Sequence, residues 1–316
     1  MARSALMTPE DYLDLLQALP VPGYTGYPGG LVSISSYMSA NPQFGGNAKA
    51  GKLLYLLQKL TKGKPESALL KQDDVRRVFT GQGLPMAFGI VMSLVNTYRA
   101  EIAKDPGFKA YFKERDFLQE MCDGGVFGVD CIGFVGGYMV QAGLDARYAG
   151  RAPIDFASVF KPVRSLDQVR KYGAVMLTNG FHVQLINNVG EVKNGRLSIE
   201  LCQSSSGGPQ TNTGVTLTQP HSGGSFLPID DFRRAKASNQ YQAEWEADNR
   251  ARERDNKPKR SYESFLREKM TVTGRQFGHR DGAIFQLARN GDLPNPVGGS
   301  VYVGVVENGG ITIRGR

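Results

Sequence analysis

Apolar residues recur at three- and four-residue spacing through the first third of the chain, which predicts helices. Thr8 is a suitable N-cap for the segment PEDYLDLLQAL, and residues 49–62 carry a stripe of leucines with lysines on the opposite face. The same spacing predicts further helices over residues 86–104 and 108–121. We therefore interpret residues 1–107 as a mostly helical N-terminal region.

From residue 171 the pattern changes to short alternating runs that are typical of strands. The runs are AVMLT, FHVQLI and RLSIELC, followed near the C-terminus by GAIFQLA, SVYVGVV and GITIRG. Between the two groups, residues 233–268 are polar and charge-dense without an apolar face, which predicts a solvated helical excursion. Helices followed by an antiparallel sheet indicate an α+β fold, with a second domain over residues 108–316 that contains this charged insert.

Composition narrows the class of protein. The 316 residues are 41% hydrophobic and 22% charged with a net charge of +8, and they include three cysteines. No run of 18 apolar residues predicts stable membrane insertion, and Glu10, Asp11 and Asp14 interrupt any Sec-type signal sequence. An odd number of cysteines favours a reducing cytoplasm. Without zinc-finger spacing or an aromatic-interleaved basic motif, we expect no nucleic acid, metal or cofactor.

One cysteine occupies a position that suits a nucleophile. In GVFGVDCIGFVGGYM, Asp130 stands where an N-cap should be, which puts Cys131 in the first turn of an apolar helix. The N–H groups and the macrodipole of a helix start stabilise a thiolate. Gly133, Gly136 and Gly137 would let this helix approach a neighbouring backbone closely. We expect a partly exposed, reactive thiol at Cys131.

A thiol nucleophile needs a base, and the chain has three histidines. His182 lies in the predicted strand of NGFHVQLINN, on the same face as Gln184, from which it could reach a cleft. His221 and His279 lie in glycine-rich loops, where histidines are usually only solvated. The pattern therefore favours His182 as the base.

The segment GVDCIGFV, followed about fifty residues later by YGAVMLTNGFHVQLI, resembles the NlpC-type cysteine peptidases, the papain-like hydrolases of bacterial cell walls. Their pattern is an Asp-Cys-Ser-Gly-Phe-Val helix start, a Gly-Asp-Leu-Val strand and a His-Val strand. The resemblance covers roughly residues 121–205 and includes the doublet Gly124–Gly125. It implies a papain-like fold, in which the helix that bears the nucleophile packs on an antiparallel sheet, with Cys131 as nucleophile and His182 as base.

Three positions depart from the family pattern. Ile132 replaces the serine after the cysteine, Ala174 replaces the aspartate of the strand, and Met121 stands where a tyrosine usually precedes the glycine doublet. Because that tyrosine contributes a contact near the oxyanion, its absence leaves the Cys131 N–H group as the one donor that the sequence identifies. The second hydrogen-bond donor is not identified by the sequence.

The family resemblance also implies a polar residue on the next strand that orients the histidine. Glu200 of GRLSIELCQSS occupies the equivalent position if the preceding loop is longer than usual. The two-residue turn Asn194–Gly195 would instead leave Glu200 about 23 Å along the strand from His182, at ~3.3 Å per residue, unless bulges absorb the difference. Gln203 and Asn188 are the alternatives to Glu200.

We therefore expect a cysteine hydrolase that cleaves an amide in peptidoglycan peptides, next to D-glutamate or diaminopimelate as the resemblance implies. Without a Sec signal, such an enzyme would act in the periplasm or cell wall after signal-independent secretion as an interbacterial effector, or after lysis. Its partners would then include a secretion component or an immunity protein. Two alternatives remain: an intracellular deamidase or acyltransferase acting on protein or lipid, and a non-catalytic binding module with a degenerate site.

Overall fold

The computed structural model divides into two compact units, each described here by itself. The helical unit comprises Met1–Arg151, Gln203–Gln210 and Phe285–Arg316, and the barrel unit comprises Ala152–Cys202 and Thr211–Ile284. The structure describes residues 7–26, 29–38, 47–142, 161–169, 174–178, 182–219, 225–276, 302–307 and 310–315.

Seven helices and two small antiparallel hairpins are described in the helical unit. The helices are α1 (Pro9–Gln17), α2 (Ala48–Thr61), α3 (Asp73–Arg77), α4 (Pro85–Thr97), α5 (Arg99–Ile102), α6 (Phe117–Asp123) and α7 (Cys131–Gln141). The hairpins pair β1 (Leu19–Pro20) with β2 (Leu31–Val32), and β10 (Tyr302–Glu307) with β11 (Gly310–Gly315).

The predicted helices are present, with changes at two places. Thr8 caps α1 as predicted, because its hydroxyl accepts a hydrogen bond of 3.0 Å from the Asp11 N–H group. The helix predicted over residues 86–104 is divided into α4 and α5 at Tyr98. The helix predicted from residue 108 starts only at Phe117, because Glu114 has an extended backbone that ends a short 3₁₀ turn before it.

Helix α7 packs into the core of the helical unit along a face of glycines. A Cβ atom on Gly133 would lie 2.1 Å from the Gly81 carbonyl oxygen, and one on Gly137 would lie 2.0 Å from the Tyr12 hydroxyl. The Tyr12 ring meets the Phe134 ring edge-on with centroids 5.4 Å apart. These contacts join α7 to α1, so the structure keeps the Cys131 helix with the N-terminal helices instead of separating them after residue 107.

The barrel unit is built on a sheet in which β8–β9 pairing closes a ring of six strands. Around the ring the order is β4-β5-β6-β7-β8-β9, and β3 is attached to β9. The strands are β3 (Lys161–Pro162), β4 (Ala174–Thr178), β5 (His182–Lys193), β6 (Arg196–Ser205), β7 (Gly208–Thr218), β8 (Ser225–Pro228) and β9 (Val272–Gln276). Strands β6 and β7 continue into the segment Gln203–Gln210 that belongs to the helical unit.

One face of these strands forms the apolar core of the barrel. Side chains alternate between the two faces of a strand, and paired residues of neighbouring strands share a face. The core accordingly takes alternate residues from every strand of the ring: Met176, Ile186, Leu197, Ile199, Leu201, Val215, Leu217, Phe226 and Val272. The turn between β5 and β6 is the predicted one, because Asn194 and Gly195 both have positive φ, as a two-residue type I′ turn requires.

The charged insert consists of α8 (Ile229–Ser238), α9 (Gln242–Arg254) and α10 (Tyr262–Met270), which lie between β8 and β9. It is helical as predicted, but the expectation that it lacks an apolar face is wrong. Phe232 and Ala235 of α8 are buried with Phe265 and Leu266 of α10 in a separate small core. Each helix contributes too few apolar residues to reveal this face, which exists only when the helices pack together.

The fold is α+β, as predicted. Among the residues that the structure describes, no single helix has both the length and the apolar character needed to cross a membrane. The segments Asp73–Thr80 and Pro85–Thr97 would meet those criteria only together, and they are bent by 82° with respect to each other.

Candidate functional site

Cys131 is the first residue of α7, as the sequence predicts. Asp130 is the N-cap: its backbone is extended, and its Oδ1 atom accepts a hydrogen bond of 2.6 Å from the Gly133 N–H group. The Cys131 side chain is only 4% exposed, so the thiol is more covered than the sequence led us to expect. The helix start supplies N–H groups and the positive end of the dipole to a thiolate at this position, whereas removal from water acts against a buried charge.

The backbone that leads into Cys131 is held by three separate segments of the helical unit. The Asp130 N–H group donates to the Gly81 carbonyl at 2.8 Å, and the Val129 N–H group donates to the Ser36 carbonyl at 3.1 Å. The Ser204 hydroxyl donates to the Val129 carbonyl at 2.5 Å. The position of the thiol is therefore fixed by tertiary contacts as well as by its own helix.

Gln82 brings a side-chain amide to this point of the helical unit. Its Nε2 atom donates to Asp130 Oδ2 at 3.3 Å, and its Cα would lie 2.7 Å from a Cβ atom placed on Gly133. The glycine at 133 is thus what lets the Gly81–Gln82 backbone approach the first turn of α7. The sequence contains no signal for this contact, because Gln82 lies 49 residues before Cys131 in an ordinary glycine-rich loop.

Burial changes the acidity of the capping carboxyl group. Removal from water raises the pKa of Asp130 to about 7, although hydrogen bonds from Gly133, Gln82 and Ile132 act in the opposite direction. Below neutral pH the cap is therefore largely uncharged, and it then exerts little repulsion on a thiolate at Cys131.

This raised pKa predicts how stability depends on pH. Because the folded pKa lies above the unfolded value of 3.8, the stabilisation is complete below about pH 4 and is lost as the pH rises through 7. Between pH 5 and pH 8 the wild-type free energy of unfolding should therefore fall by about 2.6 kcal/mol more than that of Asp130→Asn. Urea unfolding at the two pH values measures this difference. Asp74→Asn, at an exposed position, is the control, and parallel pH slopes for wild type and Asp130→Asn would contradict the burial argument.

His182 is the first residue of β5, in the barrel unit, and it pairs with Thr178 of β4. Its half-buried side chain shares the inward face of the barrel with Gln184, whose Nε2 atom donates to the Thr178 hydroxyl at 3.4 Å. A histidine at the end of a strand, with polar neighbours on its own face, can exchange protons with a bound molecule.

The structure does not bring Glu200 to His182. Glu200 pairs with Asn188, six residues further along β5, which corresponds to roughly 20 Å. Two bulges in β5 do shift the register, between Ile186 and Asn188 and between Val189 and Val192, but together they change it by only two positions. The role assigned to Glu200 does not fit this register, and Asn188 stands at the same distance from His182.

Gln203 is better placed than Glu200 on the strand register. Leu185 pairs with Cys202 and Ile186 pairs with Leu201, so the face of β6 that carries Leu201 is the face on which β5 carries Ile186, Gln184 and His182. By alternation, Gln203 belongs to that same face. Its side chain is 8% exposed.

The other candidate residues divide into two groups. His221 and His279 lie outside the described residues. Cys122 and Cys202 are fully buried, and burial raises the pKa of the Cys122 thiol, which makes it an inert side chain. Within the described ranges, no group of three His, Cys, Asp or Glu side chains could hold a metal ion.

The nucleophile candidate and the base candidate thus belong to different units, with Cys131 in the helical unit and His182 in the barrel unit. Cys131 lies at the start of a capped helix, and His182 lies at the polar end of a strand. Comparison with protein-family models, with curated proteins and with solved structures gave no match, so the functional assignment rests on the residues of the chain itself.

Proposed function

We propose that this chain is a papain-like cysteine hydrolase in which Cys131 is the nucleophile and His182 is the general base. The observation that carries the proposal is the position of Cys131 at the first residue of a helix whose N-cap is a buried aspartate. That position favours the thiolate, which is the reactive form of cysteine. His182 supports the proposal as the histidine that follows in a polar strand setting.

In the proposed reaction His182 takes the thiol proton and the Cys131 sulfur attacks the carbonyl carbon of the scissile amide. The tetrahedral intermediate collapses as His182 gives the proton to the leaving amine, which leaves a thioacyl-enzyme. Water, activated by His182, then hydrolyses the thioester and restores the thiol. The steps balance without any metal or cofactor.

The proposed mechanism assigns the developing oxyanion to two donors, the Cys131 backbone N–H group and the Gln82 amide. Gln82 supports this role because its Nε2 atom lies against the residue before the nucleophile, on Asp130. A rotation about its terminal torsion would aim the same N–H group at a substrate oxygen, because such sp² torsions are broad. Gln82 would supply the second hydrogen-bond donor to the oxyanion, in place of the family's tyrosine that this chain lacks.

Gln82→Ala should lower kcat about 10²- to 10³-fold with little change in KM, because the lost hydrogen bond is made mainly in the transition state. The rate at which iodoacetamide alkylates Cys131 should stay within about threefold of wild type, which separates an oxyanion role from an effect on thiol acidity. Gln58→Ala, on an exposed position of α2, is the matched control. Activity of Gln82→Ala within a factor of three of the control would exclude Gln82 as a donor.

For the residue that orients His182 we propose Gln203 in place of Glu200. The proposal rests on the face of β6 to which Gln203 belongs and on the distance that separates Glu200 from His182 along the sheet. An amide can accept a hydrogen bond from the imidazole and hold the tautomer that the base requires.

We propose an amide of peptidoglycan stem peptides as the substrate, which is what the resemblance to the NlpC-type peptidases implies. The net charge of +8 suits an anionic polymer. Incubation of the purified protein with peptidoglycan, followed by mass spectrometry of the muropeptides, tests this assignment. Cleaved stem peptides that appear only with active protein are expected. Unchanged muropeptides together with selective alkylation of Cys131 would favour the intracellular thiol enzyme instead.

A further inference from the structure

The positive charge of the chain is concentrated in two segments of the helical unit. Residues 47–71 and 98–115 together contain eleven lysines and arginines but only four acidic residues, a net charge of +7, and the whole chain has a net charge of +8. The rest of the chain is therefore almost balanced in charge, and the excess belongs to this part of the molecule.

Two contacts place these segments side by side. The Lys49 Nζ atom donates to the Tyr111 hydroxyl at 2.8 Å, and the Lys64 Nζ atom lies 4.5 Å from the centre of the Tyr98 ring. Because the start of the first segment meets the end of the second, the two run in opposite directions beside each other. We call their common surface the basic face.

Helix α2 turns a line of exposed side chains away from the protein. Lys52, Tyr55 and Lys59 follow one another at three- and four-residue spacing, and Lys62 continues the line at the C-cap, so all four lie on one side. Tyr55 is 64% exposed. Lys52 pairs with Asp105 at 2.6 Å, whereas Lys59 and Lys62 take part in no ion pair among the residues that the structure describes.

The residue types indicate which anionic partner this surface suits. Residues 47–71 contain six lysines and no arginine. Arginine is the side chain that grips individual phosphates with a fixed fork, whereas lysine is a flexible point charge that responds to a diffuse negative field. Single-stranded nucleic acid is held by several aromatic rings on which successive bases stack, and α2 offers only Tyr55.

A bilayer surface fits the same features better. Clusters of about four to eight basic residues on an amphipathic helix are typical of binding to anionic lipid. A tyrosine suits the boundary between lipid and water, because its ring is apolar and its hydroxyl is polar. The opposite side of α2 is buried through Ala50, Leu53 and Leu57, so the helix would adsorb on the membrane without leaving the protein core.

We propose that the basic face binds the surface of an anionic lipid bilayer, with α2 parallel to the membrane and Tyr55 among the headgroups. Lys59 and Lys62 supply charge that the protein itself does not neutralise. This inference goes beyond the proposed hydrolysis, because adsorption requires neither Cys131 nor His182. It assigns a function to the N-terminal helices, which the proposed reaction leaves without one.

Co-sedimentation of the full chain with vesicles tests the proposal. The protein should bind vesicles of phosphatidylcholine that contain phosphatidylglycerol and should not bind vesicles of phosphatidylcholine alone. Binding should be lost at about 1 M salt, where the Debye length falls to ~3 Å. The vesicles contain no peptide substrate, so failure of the proposed hydrolysis does not affect this measurement.

The double variant Lys59→Gln, Lys62→Gln should lower the partition coefficient roughly 25-fold, because each lysine near an anionic surface contributes about fivefold, the equivalent of ~1 kcal/mol. The matched control is Lys257→Gln, Lys259→Gln, which removes the same charge from exposed positions of the charged insert and should bind within about twofold of wild type. If circular dichroism shows that the first double variant does not fold, Lys104→Gln, Lys109→Gln replaces it on the second segment of the basic face.

Three results would overturn the proposal. One is equal binding to vesicles with and without phosphatidylglycerol, and another is a folded basic-face variant that binds as the control does. The third comes from a fluorescent single-stranded oligonucleotide. Tighter binding to the oligonucleotide than to anionic vesicles, weakened by the same double variant, would assign the basic face to nucleic acid instead of lipid.

Discussion

Cys131→Ala is expected to abolish muropeptide cleavage while leaving the fold intact. The substitution removes only a sulfur atom at the first position of α7, and the cap hydrogen bond between Asp130 and Gly133 does not involve the thiol. Alanine is also well tolerated in helices. Mass spectrometry of digested peptidoglycan measures the loss, and circular dichroism with thermal unfolding verifies the fold.

The other two cysteines provide the matched controls for this result. Cys122 and Cys202 are fully buried, so Cys122→Ala and Cys202→Ala should keep most of the activity although each creates a small cavity. Iodoacetamide near neutral pH should label Cys131 faster than either. A Cys131→Ala protein that still cleaves peptidoglycan would exclude the proposed nucleophile.

His182→Ala should lower turnover by two to four orders of magnitude, which is the usual effect of removing a general base. His182 is expected to act directly on the reacting atoms, so the loss should appear in kcat and should remove the acidic limb of the pH–rate profile. Steady-state kinetics across pH 5 to 9 measures both effects.

The remaining histidines test whether this effect is specific. His221→Ala and His279→Ala should each change turnover by less than about threefold, because neither belongs to the predicted strand that carries the base. If His279→Ala instead caused the large loss, the base would belong to the C-terminal part of the chain, and the strand argument for His182 would fail.

Local signals in the sequence were sufficient for the features that depend on neighbouring residues. The aspartate before Cys131 predicted an N-cap, and Asp130 is one because its carboxylate reaches an N–H group only three residues away. The Asn194–Gly195 dipeptide predicted a two-residue turn, and both residues have the positive φ that such a turn demands. In both cases the controlling interactions lie within a few residues along the chain.

Features that depend on distant residues could not be predicted in this way. The contact between Gln82 and Asp130 requires the close approach at Gly133, which no periodicity encodes. The bulge in β5 between Val189 and Val192 places Glu200 opposite Asn188, whereas the turn alone would place it opposite Val189. The family resemblance selected Glu200 by its position along the sequence after His182. Such a count of residues fails when bulges add residues to one strand of a long hairpin.

The order of segments in the two units has a consequence for synthesis on the ribosome. The helical unit takes Gln203–Gln210 from the middle of the barrel sequence, and β9 pairs with both β4 and β8 at the end of the ring. The emerging chain therefore cannot complete the helical unit before Phe285–Arg316 has been made, and it cannot close the barrel before residue 276. Until then the edges of β4 and β8 remain without their β9 partner, and open strand edges invite pairing with other chains. This topology therefore predicts that the chain needs chaperone protection during this interval. It also predicts that a fragment ending before residue 276 does not fold.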